Sequence, residues 1–166
     1  MHGVRAVILA DTHVPRRARD LPPDLWAAID GADLVVHAGD WVSADLVAAV
    51  RARAPLLGVH GNNDGPDVRA LVPEVARATL GGVRVAVVHE TGAAAGRERR
   101  MAAAFPDVDL LVFGHSHIPW DTTAPGGPRL LNPGSPTDRR RQPFGTWVEA
   151  TFADGEITLL WRNVPR

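Results

Sequence analysis

Short apolar runs rich in branched residues recur along the chain, and several of them stop at a polar residue able to bind a metal. Val4 to Leu9 predicts a buried strand because it is brief, continuous and halted by Asp11-Thr12-His13. Pro22-Pro23 opens a helix through Leu25, Trp26 and Ile29, with Gly31 as its stop, before a second strand at Leu34 to Val36 that runs into Asp40. Ser43 is placed to cap a helix carrying Leu46, Val47 and Val50 at helical spacing, and Pro55 forbids its continuation. Leu56 to Val59 is a third strand, ending at Gly61-Asn62. This alternation of strand and helix is the pattern of a parallel sheet with crossover helices. In such sheets the carboxyl ends of strands form the usual binding crevice, so Asp11, Asp40 and Asn62 are expected to converge.

Further on, Pro73 to Leu80 and Val83 to Val88 flank Gly81-Gly82, a hairpin dipeptide, and the second run delivers His89. An Ala/Arg-rich helix is expected over roughly Ala93 to Phe105, then a buried strand at Leu110 to Phe113 leading into Gly114-His115-Ser116-His117. Pro125-Gly126-Gly127 predicts a turn before Arg129 to Leu131, and Asp154-Gly155 a hairpin between Thr146–Phe152 and Glu156–Trp161. The last third is therefore expected to be antiparallel.

Composition narrows the picture. A chain of 166 residues, 45% hydrophobic, suits one domain spanning residues 1–166. A net charge of −1 supplies no overall field for gathering nucleic acid or an anionic membrane, so neither is expected as a stable partner. The absence of cysteine excludes disulfides, thiolate zinc sites and a cysteine nucleophile. Met1-His2-Gly3 leads straight into a strand without a secretion-signal pattern, and no apolar run approaches the ~18 residues of a membrane span, which points to the cytoplasm. Every basic residue is arginine, a bias ascribed to coding composition.

Asp11, His13, Asp40, Asn62, His89, His115 and His117 thus form a candidate ligand set. Residues two apart in extended chain share a side, so Asp11 with His13, and His115 with His117, can face one cleft. Two divalent cations about 3.5–4 Å apart repel and need a bridging anion, for which Asp40 is the candidate. Two carboxylates, four imidazoles and one amide give −2 against +4 from the metals, or +1 with one hydroxide, a site that attracts a phosphoryl group. Imidazole-rich ligation suits manganese, nickel, cobalt, iron or zinc better than calcium or an all-oxygen magnesium site, supply decides among them, and manganese is the metal expected.

The ordered series, with Asn132-Pro133-Gly134-Ser135 after the histidine pair, resembles the calcineurin-like metallophosphoesterases, in particular their small bacterial and archaeal phosphodiesterases. The resemblance implies an α/β fold, a four-layer αββα sandwich of two mixed β-sheets flanked by helices. It implies one metal held by Asp11, His13, Asp40 and His117 and another by Asp40, Asn62, His89 and His115. The activity implied is hydrolysis of a small phosphodiester by in-line attack of a hydroxide bridging the metals, with Asp40, Asn62 and Asn63 as catalytic residues. An Asn62 or Asn63 amide would steady a phosphate oxygen. Phosphomonoester hydrolysis, and a protein-binding scaffold like the related retromer subunit, are the alternatives. Two positions depart from the pattern. Asn63 replaces a histidine that protonates leaving groups in larger relatives, which predicts dependence on good leaving groups, and Glu90 replaces a common glycine.

The remaining polar residues read more plainly. His37 and His60 are expected to support ligands, His2 to be terminal, and Asp64 to form a turn or orient a ligand histidine. Arg139-Arg140-Arg141 predicts a solvated loop, and Trp26, Trp41, Trp120, Trp147 and Trp161 predict packing. Association into a homo-oligomer is left open.

Overall fold

The computed structural model describes residues 3–165; the expectation for His2 lies outside them. Its strands are β1 (Val4–Leu9), β2 (Leu34–His37), β3 (Leu56–Gly58), β4 (Ala76–Leu80), β5 (Val83–Val87), β6 (Leu110–Val112), β7 (Trp120–Thr123), β8 (Arg129–Asn132), β9 (Gly145–Ala153) and β10 (Glu156–Val164). Its helices are α1 (Pro23–Asp30), α2 (Ala44–Arg51), α3 (Pro66–Arg69) and α4 (Arg97–Ala104).

The strands form two five-stranded sheets, ordered β10-β9-β1-β2-β3 and β4-β5-β6-β8-β7. Each is mixed by the same plan. In the first, β1, β2 and β3 are parallel, β9 pairs antiparallel with β1, and β10 pairs antiparallel with β9 at the edge. In the second, β5, β6 and β8 are parallel, with β4 and β7 antiparallel on either side. The last third is therefore not purely antiparallel as expected, because β8 enters beside β6 in the same direction.

The sheets face each other across an apolar layer in which Ile8, Val36 and Val148 of one meet Val85, Val112 and Leu131 of the other. The outer face of the first sheet packs on the helices through Leu25, Ile29, Val47, Val50 and Val68. Met101 of α4 packs on Ala86, Leu111 and Leu130 outside the second. The order helix, sheet, sheet, helix is the αββα sandwich. Its six parallel strands have the consequence that matters, since their carboxyl ends lie side by side along one rim.

Local sequence explains most boundaries. Ser43 accepts from the Asp45 N–H at 3.1 Å and caps α2 as expected. Both Gly81 and Gly82 take positive φ (55° and 83°), as does Asp154-Gly155 (52° and 77°), the conformation that two-residue hairpins demand. The helix expected from Ala93 starts only at Arg97. Gly92 and Gly96 are left-handed, and the Arg100 guanidinium donates to the carbonyls of Thr91 (2.7 Å) and Ala93 (2.6 Å), which bond to a side chain in place of a helical ladder.

Candidate metal centre

Asp11 follows β1, Asp40 follows β2, Asn62 follows β3, His89 follows β5, and His115 and His117 follow β6. All of them, with His13, meet at the shared rim. Five of these side chains, Asp11, His13, Asp40, His115 and His117, sit on backbone with φ between 47° and 76°. The ligand pairs are therefore aimed by left-handed turns and not, as the alternation argument supposed, by extended chain. Such conformations cost about 1–3 kcal/mol each for non-glycine residues, and here the surrounding bonds impose them.

Those bonds run between loops. Asp11 N–H donates to the Gly39 carbonyl at 2.9 Å and His13 N–H to the Asp40 carbonyl at 3.1 Å. The Ser135 hydroxyl donates to the Asp11 carbonyl at 2.8 Å, and Thr137 to the Thr12 carbonyl at 2.6 Å. Asn132 at the end of β8 donates to the Gly114 carbonyl and accepts from Gly134 N–H, so the Asn-Pro-Gly-Ser turn holds the His115–His117 loop. Asp64, which the sequence left between two readings, makes no hydrogen bond or ion pair with a histidine among the described residues. It accepts backbone N–H groups from Asp40 (3.0 Å), Val42 (2.6 Å) and Gly61 (2.8 Å), fastening the Asp40 loop to the Asn62 loop. Gly61 must lack a side chain, for a Cβ there would meet Asp40 Oδ1 at 2.2 Å.

Within this frame the ligand atoms fall into two overlapping groups. Asp11, His13 and His117 form one, and Asp11, Asp40 and His89 the other, each with ligand atoms within 4.8 Å of one another. Asp40 Oδ2 stands 3.4 Å from both His13 Nε2 and His89 Nε2, midway between the two histidine sides. The Asn62 amide oxygen lies 3.0 Å from His89 Nε2 and 3.1 Å from His115 Nδ1. Asn63 donates its backbone N–H to Asp40 Oδ1 (2.9 Å) and its amide to Oδ2 (2.8 Å), so it orients that carboxylate. Glu90 approaches His115 from behind, 3.7 Å from Nε2, leaving Nδ1 to face the cleft.

The hydrogens of two imidazoles are fixed by backbone carbonyls. His89 Nδ1 lies 2.7 Å from the Ala38 carbonyl and His117 Nδ1 2.6 Å from the Asp138 carbonyl, so each carries its hydrogen there. In the neutral imidazoles, the form that binds a metal, the Nε2 lone pairs then face other acceptors, Asp40 and Asn62 for His89 and Asp11 at 3.7 Å for His117. The buried Nε2 atoms of His13 and His117 have no hydrogen-bond partner. Acceptors converging on acceptors, with orphaned imidazole nitrogens between them, call for cations.

The electrostatics agree. Burial lifts the Asp11 carboxyl to about 7, with the Asp40 charge adding to it and His89 and His13 opposing. Burial also works against Asp40, yet the imidazoles of His13 and His89 and the Asn63 N–H hold it well below the usual carboxylate range. His89 is drawn down by burial but carried up to about 8 by Asp40 and Asp11. Burial lowers His117 to about 4, and Arg140 contributes. The donor set therefore fits divalent metal.

His37 supports the site as expected. Its Nδ1 accepts from Gly39 N–H (3.1 Å), its Nε2 bonds the Thr12 hydroxyl (3.1 Å), and its ring stacks on Trp41 at 3.6 Å. Complete burial holds its pKa far below the ordinary value, keeping it neutral. His60 does not share that role, since among the described residues its ring has no hydrogen bond.

A family model for the calcineurin-like phosphoesterase superfamily domain matches residues 4–155. The chain belongs to that superfamily. A probable metallophosphoesterase of Methanothermobacter thermautotrophicus is 33% identical over 135 residues, covering 78% of this chain and 76% of the relative. A Thermotoga maritima protein solved by solution NMR is 30% identical, with a TM-score of 0.78 over 96% of this chain and 99% of its own. Vacuolar Protein Sorting 29 from Cryptosporidium parvum shares the fold at a TM-score of 0.76 over the whole of both chains, at 18% identity. This calcineurin-like chain is thus a metallophosphoesterase by family, with candidate ligands for divalent metal at its rim. Among the described residues no helix is long and apolar enough to cross a membrane.

Proposed function

We propose that the chain hydrolyses phosphodiesters with two divalent metals, manganese foremost. The reading rests on one observation: the buried ligand atoms of Asp11, His13 and His117, and those of Asp11, Asp40 and His89, lie within 4.8 Å of one another at the rim, and the Nε2 atoms of His13 and His117 have no hydrogen-bond partner among the described residues. Asp11, His13, Asp40 and His117 would hold one metal, and Asp40, Asn62, His89 and His115 the other. When bound, such metals supply positive charge that polarises the phosphoryl group and lowers the pKa of water toward ~7.

The chain's own residues do the positioning. Asp40 lies between the two histidine sides, and Asn63 fixes its carboxylate through both oxygens. Asp64 keeps the two loops in register, and His37, locked neutral, sets the turn between Ala38 and Asp40. An amide at position 63 cannot give up a proton, so leaving groups must depart as stable anions or take a proton from water. That condition favours diesters with activated alcohols over unactivated monoesters. A scaffold role like that of retromer proteins is the lesser reading, since a scaffold has no need of unpaired buried imidazoles.

The test is to strip the protein with a chelator, reload it with manganese, and compare bis-p-nitrophenyl phosphate with p-nitrophenyl phosphate. The reading predicts metal-dependent turnover with kcat/KM at least tenfold higher for the diester. Equal rates would move the assignment to a phosphomonoesterase, and no turnover with manganese, nickel, cobalt or zinc would move it to the scaffold.

A further inference from the structure

Among the described residues, all but one of the arginines that stand apart from the site have a partner. Arg53, Arg77, Arg84, Arg129 and Arg162 each pair with a carboxylate at 2.8–3.2 Å. Two loops beside His117 break that habit. Arg16 and Arg19 on the loop after His13, and Arg140 and Arg141 on the loop after the Asn-Pro-Gly-Ser turn, are exposed and have no hydrogen bond or ion pair among the described residues. Among the described residues, Arg99 on α4 is their one counterpart elsewhere.

The loops are tied to each other and to the centre. Arg17 reaches the Asp138 carboxylate at 3.8 Å, and the Asp138 carbonyl takes the His117 Nδ1 hydrogen. Arg139 donates to the Gln142 carbonyl at 2.7 Å and closes the loop on itself, while Arg140 is held left-handed at φ 51°. Between this loop and the Ser116–Ile118 segment lies a cavity of about 260 Å³. It falls just under the ~300 Å³ lower end of small-ligand pockets, room for one end of a ligand whose other end reaches the metal ligands. His117 and Ser116 line it, and the half-exposed Ile118 adds apolar surface.

Guanidinium groups left unpaired beside a centre for phosphate esters are suited to a further phosphate, which they bind by bidentate, charge-assisted bonds. In a chain of net charge −1, this concentration of free positive charge is local and specific in place. Resting on the phosphoesterase reading above, we infer that the cavity beside His117 is a subsite for a second phosphate, with Arg140 and Arg141 as its ligands. The substrates preferred are then small phosphodiesters that carry an additional phosphate group, such as nucleoside derivatives phosphorylated at a second hydroxyl.

Two measurements decide it. The first compares the p-nitrophenyl ester of thymidine 5′-phosphate with the same ester bearing a 3′-phosphate, on the manganese-loaded protein. The expected kcat/KM ratio is about tenfold in favour of the bisphosphate, falling below about twofold in Arg140→Ala/Arg141→Ala and retained in Arg99→Ala. The second titrates pyrophosphate into chelator-treated, dialysed protein by calorimetry, where metals play no part. Binding at least fivefold weaker in the double variant than in wild type and Arg99→Ala is expected. A wild-type ratio near one, or equal pyrophosphate binding by wild type and double variant, overturns the subsite. If no ester is turned over with any metal, the phosphoesterase reading falls, and calorimetry alone judges the anion site.

Discussion

Asp64 is nearly buried, 4% exposed, and its two oxygens accept three backbone N–H groups, from Asp40, Val42 and Gly61. Replacing it with alanine removes both acceptor oxygens and leaves three donors with nothing in their place. Each unsatisfied buried donor costs about 1–3 kcal/mol, and bonds to a charged acceptor fall at the upper part of that range. Water can enter the vacated volume and satisfy one of them, so the expected loss for Asp64→Ala is about 3–5 kcal/mol. At roughly 2–4 °C per kcal/mol for a domain of this size, Tm falls by about 10 °C. Asp64→Asn can keep its oxygen toward Asp40 and Gly61 while its amide opposes the Val42 N–H, and should lose about half as much. Because the three donors belong to the loops carrying Asp40 and Asn62, manganese affinity should fall at least tenfold with the stability. Thermal denaturation and manganese titration by calorimetry measure both. A Tm shift under 2 °C for Asp64→Ala, with unchanged manganese affinity, would refute the claim that this carboxylate aligns the loops.

Other consequences are as direct. Asp40→Asn preserves size but removes the charge between the histidine sides, and should lower the kcat for bis-p-nitrophenyl phosphate at least a hundredfold with the fold retained by circular dichroism. Gly61→Ala drives a Cβ into Asp40, and should weaken manganese binding at least tenfold and cost a few kcal/mol of stability by denaturant titration. In metal-free protein, Asp11 is raised from 3.8 to about 7 and His89 from 6.5 to about 8. Between pH 6.5 and 8 the folded state therefore holds more protons than the unfolded one, and stability should fall as pH rises, by up to about 2 kcal/mol. Metal must displace those same protons, so manganese should bind at least tenfold more tightly at pH 8 than at pH 6, with proton release detectable in buffers of different ionisation enthalpy.

Much of this was written in the order of residues. Apolar runs ending at Asp11, Asp40 and Asn62 announced parallel strands whose carboxyl ends would meet, and Gly81-Gly82 and Asp154-Gly155 announced the hairpins. What was not legible depends on contacts distant in sequence. Strand β7 is a half-exposed edge whose Trp-Asp-Thr-Thr run carries no apolar alternation, and it forms because β8 offers a ladder. The single-turn α3 has too few residues for a periodic signal. Helix α4 is shortened because Arg100 claims the carbonyls before it. The aim of the ligands was foreseen for an incorrect reason, since left-handed turns do what extended chain was supposed to do. Asp64 could not be told from a turn residue, as its partners Asp40 and Val42 lie more than 20 positions away. The arginine run read as a solvated loop because nothing in sequence shows that neighbouring carboxylates leave it unpaired.

The central claim is that this rim becomes a phosphodiesterase when two divalent metals occupy it. The most direct measurement follows bis-p-nitrophenyl phosphate hydrolysis while manganese is added to metal-free protein in known equivalents, with bound metal determined in the same samples. Turnover that rises as the second equivalent binds, and is absent without metal, is the predicted result. Two equivalents bound with no hydrolysis, or hydrolysis indifferent to metal, would contradict it.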